Sequence, residues 1–187
     1  QQAATAPDRK VTGFMQALGM PGGVFATRVE AQDPPVFSAD GNDEVEFLVS
    51  ANPGQPPRPL AKVASGGELS RISLALQVAA VEAAHLPCLV FDEVDAGVGG
   101  AVAEMVGRQL HELAGKGQVL CVTHLPQVAS QSDHQLRVSK HVADGKTRTR
   151  IEVLDDADRT EELARMLGGT TITDRTREHA REMLASA

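Results

Sequence analysis

The 187-residue chain contains no GxxxxGK[ST] stretch, the loop that wraps nucleotide phosphates with backbone amides and a lysine. It also lacks an apolar run long enough to span a bilayer, and its N-terminus does not have the order of a secretory signal, so no membrane association is expected. Two cysteines do not make a disulfide framework in a chain this long, which favours a soluble cytoplasmic setting. Positive charge is scarce: 18 Lys and Arg stand against 25 Asp and Glu, for a formal net charge of -7. That balance argues against a broad nucleic-acid-binding face on this piece while leaving room for a local basic patch. There is no internal repeat and no low-complexity tract. The first residue is Gln1, and the chain reads as a piece of a longer protein whose phosphate loop lies elsewhere.

With 42% hydrophobic and 23% charged residues, the chain has enough apolar material for one ordinary globular domain with a real core. Val11, Phe14 and Leu18 fall at helical spacing and predict the end of a helix that stops at Gly19-Met20-Pro21-Gly22-Gly23. Two strands, 24–29 and 45–49, are predicted to pair as an antiparallel hairpin across a polar connector. Four prolines make 53–59 a loop. A helix from Gly66, with Leu69, Ile72, Leu76, Ala79 and Ala83 on one face, ends before Pro87 and leads into the apolar strand 88–91. A second helix carries Val102, Val106, Leu110 and Leu113, and the apolar strand 119–122 follows it. Helix, buried strand, helix, buried strand signals an α/β fold with a mostly parallel sheet. Later strands are expected at 136–139 and 149–154 around an Asp144-Gly145 turn, then helices from about Asp158 to Gly168-Gly169 and from Thr173 onward.

Three short strings carry chemistry. The run Cys88-Leu89-Val90-Phe91-Asp92-Glu93-Val94-Asp95 is an apolar strand that delivers acids to its tip, a Walker B pattern. Adjacent strand residues point to opposite faces, so Asp92 and Glu93 suit different tasks: Asp92 is assigned to Mg²⁺ and Glu93 to activating an attacking water. The plain alternative is a strand end with two solvated acids. Asp95, beside glycines 97, 99 and 100, is either part of an ordinary turn or of a flexible acidic loop.

Upstream, Ser65-Gly66-Gly67-Glu68 has the form of a capping box, in which the serine accepts from the first turn and the glutamate reaches back. That explains two residues of four. The two glycines, each costing about 1 kcal/mol against alanine inside a helix, imply bare amides that a phosphate can approach. The position ahead of the acidic strand favours the anion reading. Downstream, His124 follows the second apolar strand at the sheet edge where a parallel sheet places its crevice. A lone histidine there is commonly structural, but a neutral imidazole can also sense a terminal phosphate, and Leu125-Pro126 would fix the start of the next helix. A zinc site from His85, Cys88, Cys121 and His124 is disfavoured, because both cysteines sit in apolar strands where a thiol behaves as a small, buried hydrophobe.

The strings Ala64-Ser65-Gly66-Gly67-Glu68-Leu69-Ser70-Arg71, 91–100 (FDEVDAGVGG) and 122–129 (VTHLPQVA) resemble ABC-type ATPase heads, and within them the SMC-like branch. The resemblance runs from about Ala17 to Gly169; transporter subunits would more typically show LSGGQ and DEPT. It implies a head split in sequence, with this chain as the C-terminal lobe (19–187) preceded by the end of a coiled-coil helix (1–18). By the same resemblance Ser65, Gly66 and Gly67, with Glu68, would bind ATP held by an opposite head, Asp92 would support Mg²⁺, and Glu93 would activate water. Asp95 would lie on the dimer-facing loop, and His124 would be the switch residue. The implied partners are an N-terminal Walker A lobe, a second head paired through two bridging ATP molecules, and DNA with double-strand breaks. The implied role is ATP hydrolysis coupled to recombinational repair in a bacterial, nucleoid-associated setting. The alternatives are the head of another SMC-like or ABC-type ATPase, or a non-enzymatic dimerisation module.

Overall fold

The computed structural model describes residues 4–32, 41–63, 65–84, 86–92, 94–95, 98–143, 146–169 and 171–187. The chain is a mixed α/β structure that divides into two compact units, residues 1–89 with 96–98, and 90–95 with 99–187.

The first unit opens with helix α1 (Thr5–Ala17), which buries Val11 and Met15 one turn apart, with Leu18 just beyond its end. The chain then reverses through Gly19, whose φ of 79° is a conformation that a side chain disfavours. Polar side chains stitch α1 to strand β1 (Val24–Ala31). Thr12 Oγ1 accepts the Phe25 amide at 2.9 Å, and the Asp8 carboxylate accepts the Thr27 amide at 3.1 Å and its hydroxyl at 2.6 Å. Strand β2 (Asp43–Ser50) pairs antiparallel with β1 from Val24↔Ser50 to Ala31↔Asp43, the hairpin that the alternating pattern predicts.

The proline-rich stretch is not loop throughout. Its last two residues form β3 (Arg58–Pro59), which adds to β2 through Leu48↔Pro59 and Val49↔Arg58. An edge strand tolerates proline because one side of its ladder needs no donor. After a 3₁₀ turn at Leu60–Lys62 comes helix α2 (Gly66–Ala84), packed on α1. Its buried stripe is Ile72, Leu74, Ala75, Val78 and Ala79. Leu69 is exposed, contrary to expectation, because the stripe begins only at Ile72, after the first turn; Leu76 is half-buried, and the Ala83 side chain lies outside the described set.

In the second unit the end of strand β4 (Cys88–Phe91) runs parallel to β5 (Gln118–Cys121). Helix α3 (Ala101–Ala114) packs against β5 and buries Ala103, Val106, Gly107, Leu110 and Leu113; Val102 is half-buried. The two strands alternate in exposure instead of being buried on both faces. Phe91 is buried and Cys121 half-buried, whereas Cys88, Val90 and Val122 are exposed. The expectation of two buried thiols is therefore corrected: the second face of this strand pair lies open, and Cys88 is on it.

Helix α4 (Pro126–Ala129) starts with proline at its first turn, as Leu125-Pro126 implied. Strands β6 (Leu136–Ala143) and β7 (Lys146–Val153) form a hairpin in register from Leu136↔Val153 to Ala143↔Lys146. Both run longer than the apolar residues alone suggested; the Asp144-Gly145 turn lies outside the described residues. Helix α5 (Asp156–Gly168) is capped by Asp155, whose carboxylate accepts the Asp158 amide at 2.9 Å, so it starts two residues before the expected point. Helix α6 (Asp174–Ala185) starts on a capping box between Thr173 and Thr176. These two helices pack together, with Leu163, Ala164 and Ala180 joining Ala129 in a buried cluster.

Candidate functional site

In the first unit the serine-glycine segment forms the N-terminus of α2. Ser65 Oγ accepts the Glu68 amide at 3.4 Å, one half of the capping box, and the Ser65 carbonyl accepts the Leu69 amide at 2.9 Å. Ser65 and Gly66 are exposed, while Gly67 and Glu68 are half-buried. A Cβ added at Gly66 would meet nothing within 4 Å. Packing inside the chain therefore does not require glycine there, and the helix offers uncovered amides at the positive end of its dipole.

In the second unit β4 and β5, the strand before His124, end together. The Val122 amide donates to the Phe91 carbonyl at 2.9 Å, so Asp92 and Thr123 leave the sheet side by side at its carboxyl edge. Asp92 is exposed at that tip. Glu93, the expected base, lies outside the described residues. Asp95 turns inward: it is 2% exposed, its Oδ2 accepts the Thr123 hydroxyl and the His124 amide at 2.9 Å, and His124 Nδ1 stands 3.1 Å from the same oxygen as a charge contact. The His124 side chain is itself 75% exposed.

Electrostatics follow from these contacts. Burial works to raise the Asp95 pKa, but the Thr123 hydroxyl, the His124 amide and the His124 ring together hold the carboxyl below its ordinary value. Cys121 is pushed up to about 11 by burial, and then by the negative charges of Asp95 and Asp92. Its thiol is thus kept protonated and unreactive.

The structure brings Asp95 and His124 into contact and leaves Asp92 at the same strand edge. Thr123 was passed over in the sequence. Its hydroxyl both donates to Asp95 and accepts the Leu125 amide at 3.0 Å, which fixes the entry into α4. The signal was a threonine two residues before the N-cap of a proline-initiated helix, where a hydroxyl turn is favoured.

No family model matches the chain. Two bacterial proteins named DNA repair protein RecN are close to it in sequence. That of Vibrio cholerae is 50% identical over 180 residues, 96% of this chain and 32% of that protein. That of Xylella fastidiosa is 48% identical over 183 residues, 98% of this chain and 33% of that protein. The match is to the C-terminal part of RecN. The chain is therefore similar to the C-terminal part of RecN proteins.

The chain spans about a third of the length of those relatives. Among solved structures, an SMC head domain with coiled coil and joint from Pyrococcus yayanosii superposes with a TM-score of 0.68 at 23% identity, covering 84% of this chain and 28% of that one. A second, from work on ATP-driven dimerisation and DNA-stimulated activation of SMC ATPases, gives 0.62 at 23% identity, covering 84% and 89%. The chain shares its fold with these SMC head domains.

Proposed function

We propose that the chain is the signature-bearing C-terminal lobe of an ATP-hydrolysing head in a protein that processes DNA double-strand breaks during recombinational repair. The observation that carries this reading is the Phe91–Val122 hydrogen bond, which sets Asp92 and His124 at one sheet edge, in the order that an ATPase site needs. The names of the relatives support the repair role, and the SMC structures support the pairing of heads through ATP.

In this reading Ser65, Gly66, Gly67 and Glu68 form an anion cradle for the γ-phosphate of an ATP bound to a second head. The open space at Gly66 supports an outside ligand there. Asp92 is a hard oxygen donor that fits Mg²⁺, an ion usually held by one or two carboxylates together with substrate phosphates and water. Among the described residues no group of three His, Cys, Asp or Glu gathers around a possible metal position, so the remaining ligands would come from the nucleotide and water. The ion would supply charge neutralisation at the phosphates. Glu93 accepts a proton from the attacking water, and His124 faces the terminal phosphate.

The phosphate loop must come from a partner lobe. The two strand pairs of the second unit support such a partner. Val90 is 68% and Val122 60% exposed on the open face of β4–β5, and Leu136, Val138, Val142, Ile151 and Val153 are exposed along β6–β7. Two-stranded sheets with bare apolar faces are marginal by themselves, and added strands from an N-terminal Walker A lobe would complete and cover them. Helix α1 would continue, on its N-terminal side, into the coiled coil that joins the lobes. Among the described residues no helix is long and apolar enough to cross a membrane.

The test is steady-state and single-turnover hydrolysis. The chain alone is expected to turn over no ATP, and the protein with both lobes to hydrolyse it. There Glu93→Gln should bind ATP yet lose about 10²–10⁴-fold in the chemical step, because the amide cannot take a proton. Near-normal hydrolysis by Glu93→Gln would move the base to another residue, and robust turnover by the chain alone would overturn the split head.

A further inference from the structure

We propose that Asp95 is a positioning residue, which holds His124 in the tautomer with the proton on Nδ1 and leaves Nε2 as the working nitrogen. The inference rests on the reading of His124 as the phosphate-facing residue, and it assigns Asp95 a task other than direct contact with nucleotide.

An ionised carboxylate only accepts hydrogen bonds. The Thr123 hydroxyl and the His124 amide are its donors, and His124 Nδ1 stands 3.1 Å from the same oxygen, where a bare ring lone pair would face the carboxylate charge. A neutral imidazole carries one ring proton, and the nearby carboxylate charge favours it at Nδ1. Nε2 is left with a lone pair, on a side chain that is 75% exposed. In that state Nε2 accepts, from a water or an N–H group, and has nothing to offer an anionic oxygen. It donates to a phosphate only once the ring carries a second proton, and the buried charge of Asp95 then lies directly behind the cation.

The same carboxylate fixes where the ring stands. By taking the Thr123 hydroxyl proton, Asp95 orients that oxygen to accept the Leu125 amide, which anchors the turn into α4. Asp95 itself lies three residues beyond Asp92. A displacement of the segment after the Walker B strand would thus move the histidine through Asp95, with no contact between His124 and Asp92 required.

The tautomer is read directly from imidazole ¹⁵N resonances of the chain, with His124 assigned by comparison with His124→Gln. At a pH where the ring is neutral, the expected pattern is a protonated Nδ1 and a bare Nε2; a protonated Nε2, or an even mixture, overturns the proposal. This arm needs no variant at Asp95 and stands even if Asp95→Ala does not fold. In the protein with both lobes, Asp95→Asn should lower kcat by about 10- to 100-fold, the usual effect of losing a supporting partner of a site residue. KM for ATP should change little, and Thr123→Ser should keep the activity that Thr123→Val loses. An unchanged kcat in Asp95→Asn would overturn the positioning role. Absence of turnover in the unsubstituted protein would instead sink the ATPase reading, while the ¹⁵N result would still decide the Asp95–His124 relationship.

Discussion

Phe91 and Val122 are joined by a 2.9 Å hydrogen bond from the valine amide to the phenylalanine carbonyl, at the point where both apolar strands give way to polar residues. Residues 28 positions or more apart in sequence, Asp92 and Asp95 on one side and Thr123-His124 on the other, emerge together because of that pairing. The site is a property of the sheet edge.

The two thiols should differ sharply in reactivity. Cys88 is exposed, whereas Cys121 is half-buried, with its pKa pushed up to about 11 by burial and by Asp95 and Asp92. At mildly alkaline pH a disulfide reagent should modify one thiol rapidly and the other slowly, and Cys88→Ser should abolish the fast phase. Two equally fast thiols would contradict the placement of Cys121.

Asp95 should contribute stability that depends on pH. Its folded-state pKa lies below the ordinary 3.8, so the ionised form is favoured by folding. The contribution is complete above that ordinary value and is lost as pH falls through the lowered one. Asp95→Asn should therefore be less stable than the parent at neutral pH by about 1–3 kcal/mol, as expected when a buried hydrogen-bonding partner is weakened. Urea denaturation should show the gap closing below about pH 4. A gap that widened on acidification would reverse the sign and refute the contact.

Gly107 should resist replacement. It sits on the buried face of α3, where a Cβ would lie 2.8 Å from Gln131 Cγ and 3.1 Å from the Gln127 carbonyl oxygen. The glutamine side chain can swing aside, but the carbonyl belongs to helix α4 and cannot. Gly107→Ala should cost about 1–3 kcal/mol despite the better helix propensity of alanine, because overpacking outweighs it. A raised melting temperature would show that the two helices have room.

Much of this was legible in the sequence. The β1–β2 hairpin, the parallel alternation around β4 and β5, and the helix starts at Gly66 and Pro126 follow from periodicity and from turn residues. The exposure of Val90, Val122 and Cys88 did not, since a continuous apolar run records what a strand packs against in the finished assembly. This chain supplies cover for one face only. The burial of Asp95 was not legible for a related reason: beside Gly97, Gly99 and Gly100 it reads as a loop acid, and only tertiary contact reveals that Thr123 and His124 fold over it. Arg58-Pro59 escaped because two residues carry no period at all.

The central claim is that the N-terminus of α2 completes an ATP site in trans. Ser65→Arg in the protein with both lobes tests it most directly, because the long side chain would fill the open space before Gly66 without entering a core. Light scattering with and without ATP reports head pairing, and equilibrium nucleotide binding reports the phosphate-loop lobe. The account predicts ATP-driven dimerisation in the parent, its loss in Ser65→Arg, and nucleotide binding largely retained in both. A Ser65→Arg protein that dimerised normally with ATP would contradict it.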